Sequence, residues 1–143
     1  MGTAENKETI RRIYAALENG DRSVFGASVQ PDYVWRLAGQ SSWSKRFAGQ
    51  EDVRENLLKP LFALFATEYR ARAINLVAEG DQVVAEIRGE VQTKSGRRYN
   101  NEYCFLFKFR DGKIAEIVEY GDTELLERAL GSYEDAVRMV AAQ

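Results

Sequence analysis

Apolar positions change their period once along this chain, from three-to-four in the first half to two in the second. Ile10, Ile13, Tyr14 and Leu17 fall at i, i+3, i+4 and i+7, which predicts an amphipathic helix over about residues 4–19. Gly20 offers that helix a stop, and Asp21 caps a short second helix over 22–29 that Pro31 closes. Tyr33, Trp35 and Leu37 alternate and predict a brief strand, followed by a polar loop over 38–49 that holds Trp43. Val53, Leu57, Leu61, Phe62 and Phe65 predict a third helix over 51–66, which Pro60 bends or interrupts. Residues 69–79, 82–93, 97–110 and 113–120 then read as strands. The turns between them are Gly80-Asp81, Lys94-Ser95-Gly96 and Asp111-Gly112, the last a strong two-residue hairpin signal. Asp122 or Thr123, and later Ser132, cap two C-terminal helices. Helices first and consecutive hairpins afterwards predict the α+β class. The expected form is a curled antiparallel sheet with the N-terminal helices packed across it, making a cone with an internal cavity. Residues 1–143 form one domain on this reading.

Two strands carry the candidate chemistry. Over 82–93, Val83, Ala85, Ile87 and Val91 lie on one face and Glu86, Arg88 and Glu90 on the other. Alternation alone favours charges in water and the apolar side as core. On the next strand, however, Tyr103, Phe105, Phe107 and Phe109 share one face while Cys104, Leu106 and Lys108 share the other. Both faces are largely apolar, which predicts helices on one and a partner chain on the other, hence a homodimer. With both faces covered, the Glu86/Arg88/Glu90 face turns into the cone. Glu119 follows Ala115 and Ile117 on its strand and would approach Arg88 there. A carboxylate–Arg–carboxylate cluster can keep one acid ionised and leave the other tunable, which supplies acid–base chemistry. The alternative is a structural ion-pair network. Trp35, Trp43, Tyr14, Tyr103, Phe105 and Glu90 are the expected pocket lining.

Composition narrows the classes. The chain has no histidine and one cysteine, Cys104, which removes Ser-His and Cys-His nucleophile systems and leaves acid–base work to Asp, Glu, Tyr or Lys. No metal-ligand spacing and no glycine-rich phosphate loop is present, so no metal and no cofactor is expected. Cys104 reads as a small buried hydrophobe. Twenty basic and twenty-two acidic residues give a net charge of -2, which argues against nucleic acid as a partner. No apolar run is long enough to span a bilayer and no leader pattern is visible, so a cytoplasmic location is expected. Asp122 reads as a helix cap, and Asn100-Asn101 fits either the cavity rim or a turn leading into a strand.

Three stretches resemble a known superfamily: Ile13 to Asp21, Phe47 to Arg54, and Gly96-Arg97-Arg98-Tyr99 through Phe107 to Ile114 and on to Glu119-Tyr120-Gly121-Asp122-Thr123. Together they resemble the nuclear transport factor two-like superfamily in its SnoaL-like and ketosteroid isomerase-like branch. The resemblance implies cone-shaped subunits that pair through the outer face of the sheet around an apolar pocket. It implies a small apolar or polyketide- or terpenoid-like ligand. The tyrosine and two aspartates of the ketosteroid isomerases would fall at Ile13, Leu37 and Phe105, so that set is missing. SnoaL-like cyclases use a histidine that this chain lacks. The Asp–Arg–Asp set of the limonene epoxide hydrolase-like branch would fall near Glu86, Arg88, Glu90 and Glu119, with Trp35 and Leu37 replacing its tyrosine and asparagine. The expectation is a cofactor-free isomerase, cyclase or epoxide-hydrolase-like enzyme, with Glu119 and Glu86 as the acid–base pair and Arg88 as the orienting cation. The alternative is a non-catalytic binding or interaction domain of the same fold.

Overall fold

A computed structural model describes residues 2–143. Helix α1 (Thr3–Leu17) presents Ile10, Ile13, Tyr14 and Leu17 to the interior, on the spacing the sequence shows. A five-residue helix α2 (Ser23–Ala27) runs directly into β1 (Val29–Leu37). Pro31 therefore sits inside a strand rather than closing a helix. Its place is the irregular stretch between Val29 and Val34 where the pairing register shifts, so its missing N–H interrupts no regular ladder. A three-residue strand β2 (Arg46–Ala48) lies within the expected loop, too short to show a period.

Helix α3 (Gln50–Asp52), a π-helical stretch (Val53–Leu58) and α4 (Lys59–Ala63) form one continuous helical path. The wider π turns end next to Pro60, which has no N–H to offer the Asn56 carbonyl one turn earlier. The Tyr133 hydroxyl donates to that carbonyl instead, at 2.6 Å.

The four strands of the second half are β3 (Arg70–Glu79), β4 (Gln82–Glu90), β5 (Glu102–Arg110) and β6 (Lys113–Gly121). Asp111 and Gly112 both take positive φ, 53° and 79°, as a tight hairpin turn between right-twisted strands requires. Helices α5 (Thr123–Leu130) and α6 (Tyr133–Ala141) follow. Asp122 caps α5 by accepting from Leu125 N, and Ser132 caps α6 by accepting from Asp135 N, both at 3.1 Å.

The sheet order is β2-β1-β6-β5-β4-β3. It is mixed and open rather than wholly antiparallel, because β1 runs parallel to β6. Helix α1 packs on β3 and β4. The inward side chains of the sheet, among them Ala85, Ile87, Phe105, Phe107 and Ile117, are buried in one core with the α1 face. The outer face is the other half of each alternation: Val84, Glu86, Arg88, Cys104 and Lys108 are exposed. Cys104 is therefore not a buried hydrophobe, and within the single chain β5 is covered on one side only.

Candidate active site

A partly open cavity of about 150 Å³ lies between the sheet and the helices. Its walls come from every layer: Tyr14 and Leu17 of α1, Leu61 and Phe62 of α4, Trp35 of β1, Phe105 of β5, and Leu126 of α5. Nearly all of this surface is carbon. An apolar cavity of this size takes a single benzene-scale ring without displacing ordered water.

One carboxylate breaks the apolar lining. Ile117 and Glu119 alternate inward near the end of β6, where Glu119 pairs across to Phe105 of β5 and beside Leu37 of β1. The indole Nε1 of Trp35 donates to Glu119 Oε1 at 3.1 Å. Trp35 is held in turn by Phe25, with ring centroids 5.7 Å apart, and by Phe105, at 6.3 Å edge to face. Glu119 keeps some accessible surface, but that surface opens into the cavity, and the protein surrounds the group closely enough for desolvation to dominate. Burial pushes its carboxyl up to about 7, against the smaller opposing pull of the Trp35 hydrogen bond. Among the described residues no cation pairs with it, and its Oε2 accepts no hydrogen bond.

Tyrosine hydroxyls make up most of the remaining polarity. Tyr69, Tyr99 and Tyr103 sit together beside Glu119 and influence one another's ionisation, and burial raises all three above the usual phenol range. Tyr14 is raised likewise, first by burial and then by Tyr69 and Glu119. All four are therefore neutral hydrogen-bond donors at physiological pH. Gly89 makes room for them: a Cβ there would meet Tyr69 Oη at 2.7 Å and Tyr103 Cε2 at 3.1 Å. Asn101 anchors the group. It is buried, its Nδ2 donates to Tyr99 Oη at 3.2 Å, and its Oδ1 accepts from Glu102 N and Asp122 N. Asn101 thus ties the start of β5 to the β6–α5 junction.

Trp35, Trp43, Tyr103, Phe105 and Tyr14 all line the cavity. Trp43 also donates from Nε1 to Gly131 O at 2.9 Å. The expected meeting of Glu119 with Glu86 and Arg88 does not occur. Glu86, Arg88 and Glu90 occupy the odd-out positions of β4, opposite in the pleat to Ala85, Ile87 and Gly89, and all three are exposed on the outer face. Arg88 there pairs with the exposed Glu102 at 3.7 Å. Glu90 borders a polar surface groove, not the cavity. The reason is physical. Three desolvated charges inside the cone would cost more than their mutual pairing returns, whereas water takes them freely. Sequence reasoning missed Tyr69, Tyr99 and Arg22. A signal did exist for Tyr99, which shares its parity with Tyr103 and Phe105. Among the described residues no cluster of metal-ligating side chains is present.

The SnoaL-like domain family matches residues 10–117, most of the chain. The chain belongs to that family. This SnoaL-like domain shares its fold with Bal32a from a soil-derived mobile gene cassette, at 21% identity and a TM-score of 0.77, over 90% of this chain and 98% of that one. It is similarly close to TerC, which was co-crystallised with polyporic acid: 21% identity, TM-score 0.75, over 90% and 99% of the two chains. A nuclear transport factor two-like protein from Burkholderia xenovorans LB400 is 25% identical with a TM-score of 0.69, over 91% and 98%. No curated protein sequence matches the chain significantly. No helix of the SnoaL-like domain is long and apolar enough, among the described residues, to cross a membrane.

Proposed function

We propose that the protein is a small-molecule enzyme that moves a proton on a ring-scale apolar substrate, with Glu119 as the acid–base group. The observation that carries this reading is one unpaired carboxylate, with a pKa near 7, facing an otherwise apolar cavity. At that pKa both protonation states are populated at neutral pH, so the same group can take a proton from carbon and return it.

The chemistry that fits is enolisation of a carbonyl compound. Glu119 removes a proton from the carbon next to the carbonyl, and the electron pair moves onto the carbonyl oxygen. Where the carbonyl is conjugated, Glu119 returns the proton at the γ-carbon of the dienolate and gives an isomer; attack of the enolate carbon on a second carbonyl closes a ring, and Glu119 returns the proton to the new alkoxide oxygen. A neutral tyrosine hydroxyl from the Tyr14, Tyr69 and Tyr103 group supplies the hydrogen bond for the developing oxyanion. The epoxide-hydrolase form of the reading loses its support, because Arg88 and Glu86 lie on the far side of the sheet. The outer face of that sheet, with Val84 and Tyr120 exposed, fits pairing with a second copy of this chain. The exposed Cys104 thiol fits a reducing, cytoplasmic setting.

The test is a screen of enolisable ring ketones by exchange of their α-protons in deuterated buffer. The wild type is expected to exchange at least one of them, and Glu119→Gln to lose that exchange while keeping its fold. Exchange that survives Glu119→Gln overturns the assignment. No exchange with any ketone that binds makes the protein a carrier of such molecules.

A further inference from the structure

The cavity has a second charged residue, at its mouth. Arg22 lies just before α2, is exposed to solvent, and also lines the cavity. Its guanidinium sits over the Phe62 ring, 4.0 Å from the centroid, and Phe62 is itself part of the cavity wall. Among the described residues no carboxylate pairs with Arg22; Glu68, which lies against Gly20, is paired with Arg70 at 3.2 Å. The aromatic face therefore holds this cation in place while its N–H fork stays open. A planar guanidinium so held matches a carboxylate with two parallel hydrogen bonds.

The charges are arranged in depth. The exposed cation marks the mouth, and the enclosed carboxyl of Glu119 is inside. We infer that the ligand is an apolar ring compound bearing one carboxylate, bound with its ring in the cavity and its carboxylate on Arg22. This rests on the reading of the cavity as a substrate site and names the class of substrate. An anion of this kind enters past a cation and meets no other fixed charge until Glu119. The guanidinium then sets which end goes in first, so that the reacting carbon reaches Glu119.

Calorimetric titration with two matched single-ring probes tests this: benzoate, and its neutral isostere benzamide. The wild type is expected to bind the benzoate about tenfold more tightly than the amide. Arg22→Gln is expected to abolish that preference, weakening benzoate about tenfold and the amide much less, and an unchanged circular dichroism spectrum shows that the variant is folded. Arg22→Lys, which keeps the charge and loses the fork, should retain only part of the preference. Equal binding of the two probes by the wild type, or a preference that survives Arg22→Gln, overturns the inference while the cavity remains a ligand site. Failure of the wild type to bind either probe overturns the inference and the substrate-site reading together.

Discussion

The two faces of one sheet treat the same kind of residue in opposite ways. On the outer face, acids and bases stand in water and pair loosely: Arg88 with Glu102 at 3.7 Å, Lys108 with Glu116 at 3.1 Å. Such exposed pairs contribute about 0–1 kcal/mol each, and water would solvate either partner alone. On the inner face a single carboxylate, Glu119, has one indole N–H for company and a wall of rings. Number of charges is thus a poor guide to chemistry. The outer face has many and holds them near water; the inner face has one, and its isolation is what brings its ionisation to neutral pH. A functional carboxylate here is one that the fold leaves without a cation.

The contrast can be broken, or sharpened, by substitution. The largest effect belongs to Glu119→Gln, expected to lower turnover by about 10²–10⁴-fold. Glu86→Gln, two strands over on the outer face, should leave turnover unchanged within about twofold; assays of both on one substrate decide whether the inner acid alone matters. Next comes packing. Phe107→Ala opens the inner face and should cost about 3–5 kcal/mol in denaturant unfolding, against about 0.5 kcal/mol for the outward Val84→Ala. Gly89→Ala places a methyl 2.7 Å from Tyr69 Oη and should cost about 1–3 kcal/mol.

A smaller effect depends on pH. Burial raises the Glu119 pKa from 4.5 to about 7, so the folded chain holds this proton more tightly than the unfolded one. The resulting stabilisation is fully present below about pH 4.5 and is lost as pH rises through about 7. Glu119→Gln never ionises. Its melting temperature should exceed that of the wild type by about 7–14 °C at pH 8, and the gap should close by pH 4.5. The smallest effect is that of Arg88→Gln, about 0.5 kcal/mol or less at any pH.

Much of this fold is legible in the periods of the sequence. The 3–4 spacing of Ile10, Ile13, Tyr14 and Leu17 and the Asp111-Gly112 turn each determine their element locally. The parallel pairing of β1 with β6 is not legible, because it joins segments about eighty residues apart and leaves no local period. Neither is Pro31 inside a strand, where a shift of register accommodates it. Glu119 stands out in the sequence because it follows Ala115 and Ile117, an acid at the end of an apolar alternation. Glu86 and Arg88 mislead for the converse reason. Alternation says that Val83, Ala85 and Ile87 oppose them, and only the neighbouring strand suggests which side faces in. Cys104 and Leu106 made the outer side of β5 look like a second core, whereas Cys104 is exposed and Leu106 half-buried. Arg22 is invisible as a site residue until α4 brings Phe62 beneath it.

The carboxyl carbon of Glu119, followed by ¹³C NMR across pH and assigned by its absence in Glu119→Gln, reports the central claim without any substrate. A midpoint near 7 is the result this account predicts. A midpoint near 4.5, the ordinary value, would mean that the cavity does not isolate the acid, and the proton-transfer reading would fall with it.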